Sequence, residues 1–198
     1  MHASLADVIA DTALNSLEAN ASRVSVELVE DGTAISVVIA DNGRGMDAAT
    51  CRLAFEPSCT EIGKHPARKV GLGLPNLKRL CERCGGSCSL DSEPDVGTTL
   101  AYRFDAHSPD LPPLGDVAAA VTVLFNFPGE FELVFTHRRG DAAYSVVRSE
   151  LAAAVGSLET VEGLSLALEF LRGQETAVLP PHLYKCGGRV ESPQSHFL

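Results

Sequence analysis

Apolar residues recur at Leu5, Val8, Ile9, Ala13 and Leu17, a spacing that predicts an amphipathic helix over residues 5–21 with one buried stripe. Asp7, Asp11, Asn15 and Glu18 form a polar row on the same helix, so Asp11 and Asn15 project from one face a turn apart. The period then shortens. Val24, Val26 and Leu28 alternate with Ser25, Glu27 and Val29 as a half-exposed strand should, and Asp31-Gly32 turns the chain into the β-branched run 34–40. A short helix over 47–53, capped by acidic residues and broken at Phe55-Glu56-Pro57, precedes a polar stretch without periodicity from Ser58 to Val70. The next helix is predicted over 76–84 and stopped by Gly85-Gly86. Strands over 87–91 and 98–104 follow, joined by a turn through Pro94 and Gly97.

Pro109 to Pro113 breaks the pattern. An apolar helix is predicted over 115–127, a hairpin over 130–137 and 142–148 about Arg139-Gly140-Asp141, and helix over 151–172 with interruptions near Gly156 and Gly163. The chain thus divides into a first unit (1–107), an α-β-β-α extension (108–178) and a loose tail (179–198). So small an extension buries little surface alone, which predicts that it packs on the first unit's sheet.

With 198 residues and 45% hydrophobic content, the chain has the composition of a soluble globular protein with one good core. Its net charge of −10 argues against a general nucleic-acid binder, since no basic surplus is available to neutralise phosphates. No apolar run reaches membrane-spanning length, and the first residues lack the basic and apolar regions of a signal peptide. A cytoplasmic location is therefore expected, with the six cysteines as thiols.

Candidate chemistry gathers at the ends of these elements. Asp41 closes a strand and is followed by Gly43 and Gly45, which let backbone approach a flat ligand closely. A carboxylate there can accept a hydrogen bond from adenine's exocyclic amine, whereas guanine presents a carbonyl and leaves the acid unpaired. The plainer reading is a tight strand-to-helix turn. Asn15 can offer its amide oxygen to Mg²⁺, and Asp11, one turn earlier, can orient or deprotonate a nucleophile near a terminal phosphate; the plainer reading is a solvated helix face. Lys64, His65, Arg68 and Lys69 make the 58–70 loop a candidate phosphate lid or an ordinary surface loop. Gly71 and Gly73 precede a helix with Pro75 in its first turn, an arrangement that presents backbone N–H groups to phosphate. Neither a Walker A loop nor a Rossmann fingerprint is present. Cys81, Cys84 and Cys88, with Cys51 and Cys59 nearby, read as buried thiols or as a metal or redox site.

Together these pieces resemble the GHKL, or Bergerat-fold, family of ATP-binding domains, which includes histidine-kinase-type ATPases, gyrase, Hsp90, mismatch-repair proteins and anti-sigma-factor kinases. The resemblance covers roughly residues 5 to 105. The N-box is Asp11 to Ala21, the G1 box Asp41 to Met46, the F-box Phe55 to Pro57 and the G2 box Gly71-Leu72-Gly73-Leu74. It implies an α+β fold: a two-layer α/β sandwich whose mixed, mostly antiparallel sheet is covered by helices on one face. It also implies ATP with Mg²⁺ as cofactors. Asp41 would hold the adenine, with Gly43, Gly45, Met46 and Thr98 beside it. Asn15 would hold the metal, and Gly71, Leu72, Gly73 and Leu74 would bind phosphates together with Lys64, Arg68 and Lys69. Asp11 stands where hydrolysing and serine-kinase members carry Glu, one methylene longer. A complete sensor kinase adds a two-helix dimerisation unit, and with only four residues before Leu5 none is expected in this sequence. Pro112 to Asp116 resembles, more loosely, small stand-alone GHKL proteins encoded beside iron-only hydrogenase or complex-I-like subunits. That likeness implies a regulatory role toward a protein partner such as a redox complex or a regulatory protein. Three functions are compatible with these residues: γ-phosphoryl transfer to water or a partner, a non-catalytic ATP sensor, or a thiol-based redox or metal regulator.

Overall fold

A computed structural model describes residues 4–56 and 73–178. In chain order the elements are α1 (Leu5–Glu18), β1 (Arg23–Glu30), β2 (Ala34–Asp41), α2 (Ala48–Leu53), α3 (Gly73–Arg83), β3 (Ser87–Glu93) and β4 (Gly97–Asp105). They continue with α4 (Val117–Phe125), β5 (Glu132–Arg139), β6 (Ala142–Val147), α5 (Arg148–Val155) and α6 (Val161–Val178). The six strands form one sheet in the order β3-β4-β2-β1-β5-β6. Every neighbouring pair is antiparallel except β1 with β5, so the sheet is mixed and mostly antiparallel, the α+β arrangement that the family resemblance implies.

One face of this sheet is apolar because its strands alternate. Val24, Val26 and Leu28 of β1, Val37 and Ile39 of β2, Leu100, Tyr102 and Phe104 of β4, and Leu133 and Phe135 of β5 are all buried against helices. The apolar stripe of α1 lies over the middle of that face, and α4 packs beside α1, with α6 on its other side. A Ser4–Asp7 capping box starts α1, so Asp7 serves the helix end rather than the polar row of Asp11 and Asn15. The 109–113 break is tied down here too, since Leu5 and Ala6 donate backbone hydrogen bonds to Pro113 and Leu114.

Residues 132–147 extend the same sheet. β5 runs parallel to β1 in register from Arg23↔Glu132 to Glu30↔Arg139, and β6 follows through a hairpin. Some bounds differ from those predicted. α1 ends at Glu18 rather than near Ala21, because Asn20 adopts a left-handed conformation (φ 59°) and turns the chain toward β1. α3 begins at Gly73, a turn before Asn76. The extension closes with two helices: Gly156 (φ 90°) ends α5, whereas Gly163 interrupts nothing and lies inside α6. A Cβ at Gly163 would come within 1.7 Å of the Ser157 carbonyl, so glycine there lets the helix pack on the preceding loop. The 179–198 tail lies outside the described residues.

Far along β1 from Asp41 a polar group is buried. His137, 0% exposed, sits with Nδ1 2.9 Å from Glu175 Oε1 and Nε2 2.9 Å from Glu30 Oε1. Arg139 donates to Glu30 and Tyr144 to Glu175. Burial alone would lower the His137 pKa, but its hydrogen bonds to the Glu175 and Glu30 carboxylates outweigh that and hold it above the ordinary histidine value. Burial likewise pushes Glu30 up, and hydrogen bonds from His137 and Arg139 bring it below the ordinary carboxylate value. The cluster ties β1, β5, β6 and α6 together through charge-assisted hydrogen bonds.

Candidate functional site

The buried stripe of α1 fixes its rotation over the sheet and leaves Asp11, Asn15 and Glu18 along one border. That border faces the ends of β2 and β4, where Asp41 pairs in register with Thr98. Between them lies a cavity of about 450 Å³, walled by α1, the Arg44-Gly45-Met46 turn, Ala54 and the first residues of α3. Ile39, Leu90 and Leu100 give it an apolar floor.

Asp41 is held in place by two donors. Ser16 Oγ donates to Oδ2 at 2.6 Å, and the Gly43 amide donates to Oδ1 at 2.8 Å. A carboxylate oriented this way keeps further lone pairs for a ligand amine, since each oxygen accepts more than one hydrogen bond. Gly43 itself does not line the cavity; it backs Asp41, and a Cβ there would fall 3.0 Å from Oδ1 and 2.9 Å from the Ala19 carbonyl.

Gly45 has φ 61°, and a Cβ on it would lie 1.9 Å from the Glu93 carbonyl, so this position requires glycine on two grounds. The turn it makes is pinned by Ser92, whose hydroxyl accepts from the Met46 amide at 2.9 Å and donates to the Gly97 carbonyl at 2.9 Å. With that hydrogen committed, Thr98 Oγ1, 2.8 Å away, is the donor to Ser92 and turns its own lone pairs outward. On the opposite wall Gly73 begins α3 against Asp11: a Cβ at Gly73 would be 2.9 Å from Asp11 Oδ2.

Asp11, Asn15, Asp41, Gly45, Met46, Gly73, Leu74 and Thr98 therefore line one cavity. Lys64, Arg68, Lys69, Gly71 and Leu72 lie outside the described residues, as does Pro57. Sequence reasoning missed Ser16, which looks like an ordinary helix residue until α1 is set against β2, and Arg44, which lines the cavity from inside the Asp41-to-Met46 motif. It also missed the floor residues, which carry no signal beyond strand alternation. Asn15 and Asp11 supply oxygen donors on one wall, a donor set that suits a hard cation such as Mg²⁺ holding several waters. Cys51, Cys81, Cys84 and Cys88 are free thiols, and among the described residues no three metal-ligating side chains converge.

The sequence model described as "Histidine kinase-, DNA gyrase B-, and HSP90-like ATPase" matches residues 2–108. The sensor protein IrlS of Burkholderia pseudomallei (strain K96243) is 33% identical over 109 residues, covering 54% of this chain and 23% of the relative. The tetrathionate sensor histidine kinase TtrS of Salmonella typhimurium (strain LT2) is 33% identical over 106 residues, covering 50% of this chain and 17% of the relative. The chain thus corresponds to less than a quarter of the length of either. Among solved structures, the N-terminal domain of a DNA repair protein superposes with a TM-score of 0.52 at 14% identity, over 81% of this chain and 58% of that one, a likeness of fold.

Proposed function

The chain belongs to the histidine kinase-, DNA gyrase B- and HSP90-like ATPase family, and from that premise we propose that it is a Mg²⁺-dependent ATP-binding regulatory protein acting in the cytoplasm. The observation that carries this reading is the anchored Asp41 carboxylate at one side of a cavity of about 450 Å³ whose other side holds Asn15 and Asp11. Ile39, Leu90 and Leu100 would form the apolar surface beneath an adenine, and Asp41 would accept a hydrogen bond from its amine. Guanine is rejected because its carbonyl would face that acid. The N-terminus of α3 would hold the phosphates, since backbone N–H groups and the helix dipole favour negative charge there. Lys64, Arg68 and Lys69 neutralise the outer phosphates in this proposal, and Gly71 and Leu72 bring backbone amides to them. Asn15 holds the metal, which when bound offsets phosphate charge.

Asp11 orients the acceptor, either water or a partner's side chain, and takes its proton as the γ-phosphoryl group transfers. A second reading, that the chain senses ATP without turning it over, is favoured by one feature: aspartate stands at position 11 and reaches one methylene less far than glutamate. Asp11→Ala separates the two. Loss of phosphate release or of partner phosphorylation with ATP affinity kept within about threefold supports transfer; absence of any turnover in the parent protein supports the sensor.

A further inference from the structure

Ser92, near the end of β3, does not itself line the nucleotide cavity, yet it touches three groups that build the cavity wall. The Met46 amide nitrogen lies 2.9 Å from Ser92 Oγ, the Gly97 carbonyl oxygen 2.9 Å and Thr98 Oγ1 2.8 Å. Two of these partners have no choice of role. An amide can only donate and a carbonyl can only accept, so the single Ser92 hydrogen goes to Gly97. One Ser92 lone pair takes the Met46 hydrogen, and the other is left for Thr98, which must therefore donate. Thr98 lines the cavity but has no hydrogen left for it, and offers a ligand acceptor lone pairs alone.

A second fixed acceptor stands beside Thr98. Thr98 on β4 is the register partner of Asp41 on β2, and directly opposed strand residues have their Cβ atoms about 4.5–5.5 Å apart. Ser16 and the Gly43 amide hold the Asp41 carboxylate with lone pairs to spare. The two hydrogens of one aromatic amine point about 120° apart, so acceptors about 2.9 Å from its nitrogen stand about 5 Å from each other. The spacing of two opposed strand residues suits that demand.

We propose that Ser92 is a specificity-determining positioning residue: by taking the Thr98 hydrogen it makes Thr98 and Asp41 a pair of acceptors that reads both hydrogens of adenine's exocyclic amine. A base carrying a carbonyl at that place meets two acceptors and no donor. Without the Ser92 hydroxyl, Thr98 can turn its hydrogen into the cavity and donate to such a carbonyl, and the carbonyl base is then admitted more easily. This role rests on the ATP reading of the cavity. It concerns how the base is chosen, and is separate from the phosphate end and from Asp11.

The test measures dissociation constants of ATP and ITP by isothermal titration with Mg²⁺ present, for the full-length chain and three variants. Inosine carries a carbonyl where adenosine carries the amine and lacks the second amine of guanosine, so no added group has to be accommodated. In Ser92→Ala the preference for ATP over ITP should fall at least about fivefold, the loss of one directional hydrogen bond. Ser92→Thr keeps the hydroxyl and should keep the preference within about twofold. Thr98→Val has nearly the same shape without the hydroxyl and leaves the Ser92 bonds to Met46 and Gly97 in place. Its preference should fall at least about threefold, chiefly through weaker ATP binding. If Ser92 merely braces the turn, Ser92→Ala will weaken both nucleotides by the same factor. That result, or an unaltered preference in Thr98→Val, would overturn the proposal. Should Ser92→Ala not fold, Thr98→Val decides, because it spares the turn. A parent chain that binds neither nucleotide, or both alike, would defeat the ATP reading itself; a selective parent with unmoved variants overturns the Ser92 role alone.

Discussion

At the scale of single residues the account turns on Asp41. Its carboxylate is fixed by Ser16 and the Gly43 amide before any ligand arrives, so little ordering cost remains for binding. Asp41→Asn replaces one acceptor oxygen with a donor NH₂ that must face either Ser16, the Gly43 amide or the ligand amine. ATP affinity should fall tenfold or more, since a hydrogen bond to a charged group contributes roughly 1.5–3 kcal/mol. Isothermal titration checks this, and unchanged affinity would show that adenine does not meet this acid. Ser16→Ala should be milder, a loss of about fivefold for a positioning bond of about 1 kcal/mol. Loss of selectivity for ATP over GTP alongside weaker binding would mark Ser16 as acting through Asp41. Asp41 was legible because aspartate followed by two spaced glycines is a local pattern. Ser16 was not, because its partner is 25 residues away and the bond exists only once α1 is seated.

At the scale of elements, α1, β1 and β2 could be read from periodicity because each buries one face and exposes the other. The pairing of β1 with β5 could not. Both strands carry the same alternation, and no local feature records that a strand more than a hundred residues later lies parallel to the first. Gly163 shows the opposite failure: glycine inside a helical pattern reads as a break, yet here it makes room for a carbonyl. The element most sensitive to a single change is the turn after β2. Gly45→Ala would place a methyl on the Glu93 carbonyl in a left-handed backbone conformation, at a cost of about 2 kcal/mol or more. Chemical denaturation should show a lower midpoint, and ATP binding should weaken with it because Met46 and Thr98 are joined through Ser92. A stable, fully binding Gly45→Ala protein would mean that the turn is laid out differently.

At the scale of the whole molecule, the His137 cluster holds the last two strands and α6 to β1, at the opposite end of that strand from Asp41. Folding raises the His137 pKa, so its contribution is complete below the ordinary value of 6.5 and is lost as pH rises through the folded value. Folding lowers the Glu30 pKa, so its contribution is complete above 4.5 and is lost as pH falls. The cluster should stabilise most between those limits. His137→Ala leaves two carboxylates facing each other and should cost about 3 kcal/mol near pH 6. It should also flatten the decline in stability above pH 6.5, measured as denaturation midpoint against pH. An unchanged alkaline slope would show that another group governs it. In sequence this histidine is one residue in an alternating strand; its role is visible only when four elements meet around it.

The central claim is that the cavity between α1 and the end of β2 takes an adenine nucleotide. Its most direct test is the ratio of ATP to GTP dissociation constants, titrated into the reduced chain with Mg²⁺ present. The account predicts that ATP binds at least about tenfold more tightly than GTP, because only adenine satisfies Asp41. Equal affinity for the two nucleotides, or binding of neither, would contradict it.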